Sequence, residues 1–518
     1  MNRAKLLASL RAGNQPWDVV VVGGGATGLG VALDAAARGL KTVLLEQNDF
    51  AKATSSRSTK IAHGGVRYLQ QGDIPLVYEA LHERGLMIRN APHLVHPLTY
   101  VVPTFRWWEL PFYGIGLKVY DALSGFTSLG RSRILSRAKA LEHLPTIRQE
   151  INGGVLYMDG QFDDARLALT LALTMHDQGG VPLNYMPVTS LVKTDGRVSG
   201  VTARDAETGE EFTISARVVV NATGIFTDSI RHMDEPDARH LLSVSQGVHI
   251  VVDKSYLPGA TAFMIPKTED GRVLFGIPWH DRLVIGTTDI PRDEAELEPK
   301  PLEEEIEFLV HHANKYLTKP LARQDVLAIF AGLRPLVAAG DGRQTKKLSR
   351  NHRIIVSDAG LVTIAGGKWT TYRRMAEQTV DRVVKVGDLA AKPCPTKHLP
   401  LHGYLNVSVT KDIPETVYGT DWLPIKQLAD ANSELAQKIH PRLPYTLVEV
   451  VWSVREEQAR TLDDVLARRT RSLLLDARAA MEAAPQVAAL MAKELDKDEA
   501  WAQQQTEEFT ALAKRYLP

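Results

Sequence analysis

"DVVVVGGGATGLGVALDAAARGLKTVLLEQ", Asp18 to Gln47, decides the fold. Val19–Val22 is a continuous apolar run, as expected for a parallel strand buried on both faces. Gly23, Gly25 and Gly28 follow in the spacing G-x-G-x-x-G. The first permits a tight turn, the second admits a pyrophosphate to the backbone, and the third lets a helix pack close to the strand. Ala26–Arg38, rich in Ala and Leu, reads as that helix. Its first turn, with Ala26 and Thr27, aims N–H groups and partial positive charge at phosphate. Gly39 ends it. Thr42–Leu45 reads as the second strand, closed by Glu46, whose carboxylate suits adenosine ribose hydroxyls and disfavours a 2′-phosphate. A glycine triplet alone marks many α/β turns. Strand, helix and acid in register predict dinucleotide binding, and they leave FAD and NAD both open, because each carries the same ADP half.

The chain around this unit has 518 residues, which suggests two to four domains. Lys+Arg and Asp+Glu both total 61, so no basic excess points to nucleic acid. Cys394 is the single cysteine, which excludes an internal disulfide and a Cys metal cluster; no His/Asp/Glu spacing suggests a metal. A reducing, intracellular compartment is the expectation. "MNRAKLLASLRAGNQPWD" carries no A-x-A-like cleavage site, and no run reaches the roughly 18 apolar residues of a spanning helix. Any membrane contact is therefore expected to be peripheral.

Further along, Thr54–Asp73 is polar and Gly-containing, and residues 76–91 and 163–178 read as helices. "FRWWELPFYGIGLKVYDAL" (105–123) combines Trp107, Trp108, Phe112 and Tyr113 with Arg106 and Lys118. It reads either as an interfacial segment or as a core element. Residues 181–222 are strand-like and end at Ala222-Thr223-Gly224, a small-residue turn into a helix. The turn reads as a second backbone approach to the dinucleotide, with a plain strand–turn–helix unit as the alternative. Residues 240–290 read as antiparallel strands, and "FAGLRPLV" (330–337) follows. Arg353–Val384 reads as a hairpin, a Gly366-Gly367 turn and a helix. Pro393, Pro395 and Pro400 mark a linker, and the chain is mostly helical from about Ser408. Leu462, Val465 and Leu466 with Arg468, Arg469 and Arg471 read as a packed helix with a solvated basic face, in preference to a lipid-binding one.

In order, "GGGATGLGVALDAAARG", "TSSRSTK…HGGVRYL", "DDARL", "NATG", "GVHIVV", "IPW", "IGTTD", "GLRPL", "GGKWTTYRRMAE" and "LDDVLARRTR" resemble the FAD-dependent, respiratory, quinone-linked glycerol-3-phosphate dehydrogenases, from about residue 17 to about 475. The resemblance implies an α/β fold: a glutathione-reductase-like, doubly wound FAD-binding domain, an antiparallel-sheet substrate domain and a helical C-terminal domain. The expected boundaries are 16–90, 145–232 and 325–385 for the first, 91–144 and 233–324 for the second, and 386–518 for the third. The implied reaction oxidises sn-glycerol 3-phosphate to dihydroxyacetone phosphate, with hydride passing to flavin N5 and electrons to a membrane quinone. A cytoplasmic homodimer, peripherally bound at the inner face of the cell membrane, is implied with it. The tail after about residue 480 carries little of the pattern, and Ala62 precedes His63 where the family pattern has an apolar residue that packs differently.

Residue by residue, the resemblance places Gly23, Gly25, Ala26, Thr27, Gly28, Glu46, Thr54, Ser55, Ser56, Lys60, His63, Gly64, Gly65, Ala222, Thr223, Gly224, Gly366, Gly367, Lys368 and Thr370 at FAD. Arg67, Tyr68, Thr287 or Thr288, Arg334 and Arg350 line the substrate pocket. A phosphate dianion is best gripped by Arg forks and Lys, so Arg334 and Lys368 carry catalytic weight, Lys368 also by favouring an anionic reduced ring. His249 is the candidate general base, its ordinary pKa near 6.5 being apt; a core histidine is the alternative, with an arginine or Tyr68 then orienting the hydroxyl. Competing functions are an oxidase that reduces oxygen to peroxide, a non-catalytic flavin sensor, and an NAD-dependent dehydrogenase.

Overall fold

The computed structural model describes residues 1–11, 15–70, 72–269, 271–337, 352–406 and 414–518, without the side chains of 67, 70, 126, 414 and 415. Its first sheet runs in the order Arg353–Val356, Val362–Ala365, Glu211–Asn221, Trp17–Val22, Thr42–Leu45, Val181–Leu183. Apart from the first pair, neighbours along that path are parallel. The helices Ala26–Ala37, Asp164–Asp177 and Tyr372–Gly387 pack with this sheet into one core, in which Val19, Val20 and Val21 are fully buried. Burial on both faces is what the unbroken valine run dictates, at about 1.5–3 kcal/mol per large aliphatic side chain.

The second sheet is mainly antiparallel. Its order is Ile290–Arg292, Leu242–Asp253, Arg282–Gly286, Leu274–Trp279, Ala262–Ile265, Val95–Thr104, Gly153–Phe162, Ile61–Ala62. Val326–Val337 pairs along the whole of Leu242–Asp253, from Leu242 opposite Val337 to Val252 opposite Val326. Gly153–Phe162 and Val326–Val337 thus hydrogen-bond in this sheet, although both fall in stretches expected in the FAD-binding domain. A mostly buried stretch of strand length does not specify its partner, and the main partners, Leu242–Asp253 and Val95–Thr104, lie about 50 to 90 residues away.

The C-terminal region is helical, with Leu447–Glu456, Ala477–Glu494 and Glu499–Lys514 sharing a core with the second sheet. Arg468, Arg469 and Arg471, read as a solvated face, are instead 3%, 2% and 1% exposed. Each meets carboxylates from distant segments: Asp49 for Arg468 (2.6 Å) and Arg469 (2.5 Å), Asp164 for Arg471 (2.8 Å). Buried guanidinium groups require such partners, and local sequence does not show them.

The aromatic segment forms the helix Glu109–Ser124, which buries Gly114, Leu117 and Tyr120 and leaves Phe112, Ile115 and Val119 outside, next to exposed Trp107 and Trp108. Among the described residues no helix is long and apolar enough to cross a membrane.

Candidate active site

The valine strand ends at Gly23, whose φ of +109° only glycine adopts without strain. A Cβ there would lie 2.7 Å from the Ala222 carbonyl oxygen, and one on Gly28 would overlap the Gly23 carbonyl oxygen. The backbone of Ala222 closes on the same turn, donating its N–H to Val22 O at 2.9 Å. Glu46 is half-buried and accepts from the N–H of Gly24 (2.6 Å) and Asn48 (2.9 Å). Burial pushes its pKa up, against the lowering effect of those two bonds.

These turns open on one cavity. It is lined by Gly23, Gly25, Ala26, Thr27 and Glu46, by Thr54 and Ser55, by Ala222, Thr223 and Gly224, and by Gly366, Gly367 and Lys368. Lys52, Leu297, Pro335 and Trp369, given no role at the cofactor from the sequence, also stand on the wall, among apolar residues such as Val188, Ile225 and Met233. Ser55 holds the seam: its Oγ accepts from the Ala26 N–H (2.9 Å) and its carbonyl from Trp369 Nε1 (2.9 Å). Thr54 Oγ1 donates to Leu333 O at 2.7 Å. Glycines without a Cβ, a helix N-terminus and an acid at the second strand's end together fit a dinucleotide. These residues would hold FAD.

Other residues expected at the cofactor sit behind the lining. Lys60 is fully buried; its Nζ donates to Asp164 Oδ2 (2.7 Å) and Ser56 O (2.9 Å). Burial lowers its pKa to about 8, with Asp164 opposing the shift. Asp164 also accepts from the Ser58 N–H and hydroxyl and from Arg471, which makes it the hub of the loop that carries Thr54 and Ser55. Asp164 and Arg471 stood in the quoted "DDARL" and "LDDVLARRTR" stretches without a role; their pairing joins runs about 300 residues apart, which neither run shows by itself. In "HGG", the His63 N–H meets Thr370 Oγ1 (3.3 Å) and the Gly64 N–H meets Tyr120 OH (2.8 Å). A Cβ on Gly65 would overlap the Tyr68 ring. These glycines and Thr370 shape the loop and are absent from the cavity lining.

The second sheet supplies the neighbouring polar cluster. Strand pairing sets Ser245 opposite Arg334, Gly247 opposite Gly332 and His249 opposite Phe330, so all six lie on one face of the sheet. Arg334 donates through Nη1 to Asp289 Oδ1 (3.1 Å) and Gln246 O (3.2 Å), and through Nη2 to Thr287 Oγ1 (2.9 Å) and Thr288 O (3.0 Å). Its guanidinium lies where a Cβ on Gly247 would be, so a side chain there would expel it. The two threonines separate: Thr287 faces Arg334, whereas Thr288 is fully buried and donates to Glu305 at 2.5 Å. His249 is 2% exposed and stacks on Phe330 (centroids 4.8 Å apart), with Nε2 2.9 Å from Thr59 Oγ1. Burial, then the charges of Lys60 and Arg334, holds its pKa well below the ordinary histidine value, so the ring is neutral. Lys368, on the cavity wall, lies with Nζ 3.9 Å from the Tyr68 ring centroid. The side chain of Arg67 and the whole of Arg350 lie outside the described residues.

A dinucleotide cavity with Lys368 on its wall, beside an antiparallel sheet bearing Arg334 and a neutral His249, defines a nucleotide-cofactor oxidoreductase. The family model described as "FAD dependent oxidoreductase" matches residues 18–373, and that of the "C-terminal domain of alpha-glycerophosphate oxidase" matches residues 362–502. The mitochondrial glycerol-3-phosphate dehydrogenase of Homo sapiens is 43% identical over 97% of this chain and 73% of its own length. That of Schizosaccharomyces pombe is 39% identical over 97% of this chain and 87% of its own. The glycerol-3-phosphate dehydrogenase of Bacillus halodurans, solved with FAD, superposes with a TM-score of 0.78 at 30% identity, over 100% of this chain and 98% of that one. The chain belongs to the family of FAD-dependent glycerol-3-phosphate dehydrogenases.

Proposed function

We propose that the chain oxidises sn-glycerol 3-phosphate to dihydroxyacetone phosphate with FAD and delivers the electrons to a membrane quinone, as a homodimer on the cytoplasmic face of the membrane. The observation that carries the substrate is the Arg334 fork, held by the carbonyls of Gln246 and Thr288 next to Pro335 on the cavity wall. Bound FAD supplies the acceptor, flavin N5, for the hydride on C2 of the alcohol. Arg334 trades its Asp289 and Thr287 contacts for charge-assisted bonds to the phosphate dianion. Lys368 adds positive charge at the cavity wall. His249, kept neutral, takes the hydroxyl proton.

The acceptor reading rests on the outer face of the aromatic helix. Trp107, Trp108, Phe112, Ile115 and Val119 are exposed there, with Ile134 on the adjoining strand and Ile74 and Tyr78 on the neighbouring helix. Exposed Arg106, Lys118, Arg131 and Arg133 accompany them. An apolar patch with basic neighbours fits an anionic lipid surface, where a quinone resides. The purified protein is expected to be yellow and to bleach with anaerobic glycerol 3-phosphate. It then reduces a ubiquinone analogue in anionic vesicles much faster than oxygen. Rapid peroxide release without added quinone establishes the oxidase reading instead, and a flavin that substrate never bleaches leaves a sensor.

The pH dependence follows from His249. A base must be unprotonated, and its pKa in the fold is depressed. The kcat, measured at saturating substrate, therefore stays level as pH falls through about 6.5 and drops only below it. His249→Gln lowers kcat about 10²-fold and abolishes that acid limb. A wild-type limb centred near 6.5, or one that survives the substitution, assigns the proton to another group.

A further inference from the structure

The last residues of the chain reach the wall of the cofactor cavity. After the helix Glu499–Lys514 the backbone turns back onto the second sheet, and the Ile329 N–H donates to Tyr516 O at 2.7 Å. Arg515 Nη2 donates to the carbonyl of Glu298 (2.5 Å), and the Tyr516 hydroxyl donates to Glu298 Oε2 (3.0 Å). Glu298 Oε1 lies 2.6 Å from Arg57 Nη2 and 2.8 Å from Lys52 Nζ. Arg57 Nη1 also donates to the carbonyl of Leu297, a cavity residue, at 2.9 Å.

Lys52 and Arg57 are the two ends of one short loop. Between them, Ala53, Thr54 and Ser55 form part of the cavity lining, and Lys52 itself belongs to it. Lys52 is tied a second time, to Asp463 at 2.5 Å, and Asp463 to Arg468 at 2.9 Å. Both cations of the loop therefore converge on one mostly buried carboxylate; its other oxygen accepts from the Tyr516 hydroxyl, and Arg515 holds the same residue by its backbone carbonyl. Removing one partner from such a buried set leaves the other charges uncompensated.

We propose that Glu298, its carboxylate oriented by Tyr516 and its backbone held by Arg515, is a latch on the cofactor: it keeps the Lys52–Arg57 loop closed over bound FAD and so sets the rate of FAD release. The latch rests on the FAD reading of the cavity. In Tyr516→Phe the carboxylate loses one donor while the ring still fills its site. In Glu298→Gln both loop cations lose their shared counter-charge.

The test is FAD release from holoprotein diluted into FAD-free buffer, followed by the rise of flavin fluorescence. Tyr516→Phe is expected to speed release about tenfold and Glu298→Gln more, with apoprotein melting temperatures close to wild type. Glu494→Gln breaks the Arg455–Glu494 pair (2.6 Å), elsewhere in the C-terminal helices, and is expected to release FAD at the wild-type rate. Folded Tyr516→Phe that releases FAD at the wild-type rate overturns the latch, as does acceleration of the same size in Glu494→Gln. Tyr516→Phe decides the matter should Glu298→Gln not fold. A wild-type protein that takes up no FAD is a separate failure: it overturns the cofactor reading and the latch with it.

Discussion

Arg334→Ala raises the KM for glycerol 3-phosphate about 10²-fold and leaves the bound-flavin spectrum as in wild type. The size follows from what the side chain does. A buried charged hydrogen-bond partner, once truncated, costs about 2–5 kcal/mol, and Arg334 is 26% exposed, so the lower part of that range applies. The flavin is expected to stay because Arg334 itself is not on the cavity wall; its neighbour Pro335 is. Arg334→Lys restores the charge without the planar fork and recovers only part of the loss. Steady-state kinetics with substrate varied over three decades reads the effect. A KM within twofold of wild type places the phosphate elsewhere and withdraws the substrate cluster built around Thr287, Asp289 and Gly247.

Asp164→Asn lowers stability by about 3–5 kcal/mol and strips the protein of FAD. Asp164 is fully buried between Lys60 Nζ (2.7 Å) and Arg471 Nη2 (2.8 Å), themselves 0% and 1% exposed. The amide keeps the shape but turns N–H donors toward two cations. Ser58 loses a charged acceptor for both its N–H and its hydroxyl, so the loop that carries Thr54 and Ser55 loses its anchor. The expected reading is a melting temperature several degrees lower and a flavin-to-protein ratio near zero without added FAD. Unchanged melting and full flavin content would mean that Asp164 is dispensable and that the loop is held by Thr54, Trp369 and Glu298 alone.

The residues with the largest expected effects were legible to different degrees. Arg334 stood out as a charge inside the apolar stretch "AGLRPLV", and the glycine motif, read with its strand, helix and Glu46, indicated a dinucleotide without choosing between FAD and NAD. Lys60 was placed at FAD by the resemblance; its burial depends on Asp164, about a hundred positions on, which it shares with Arg471. Thr287 and Thr288 are adjacent and chemically identical, and strand pairing alone turned one toward Arg334 and the other toward Glu305. The Arg468–Arg471 run looked like a solvated helix face because Asp49 and Asp164, which join nearby Asp463 and Asp464 in pairing its cations, lie hundreds of positions earlier.

By itself the sequence determined the doubly wound start, the dinucleotide motif, the hairpin before Lys368 and the helical end. Those features arise from contacts a few residues apart: turn sterics at Gly23, apolar runs of strand length, the 3.6-residue period of helices. Only the tertiary structure decided which sheet Gly153–Phe162 and Val326–Val337 join, which polar residues face the cavity, and how the C-terminal arginines and Tyr516 reach the cofactor loop. Strand partners and the cost of burying a charge depend on groups brought together from hundreds of residues apart, and no local pattern encodes that distance.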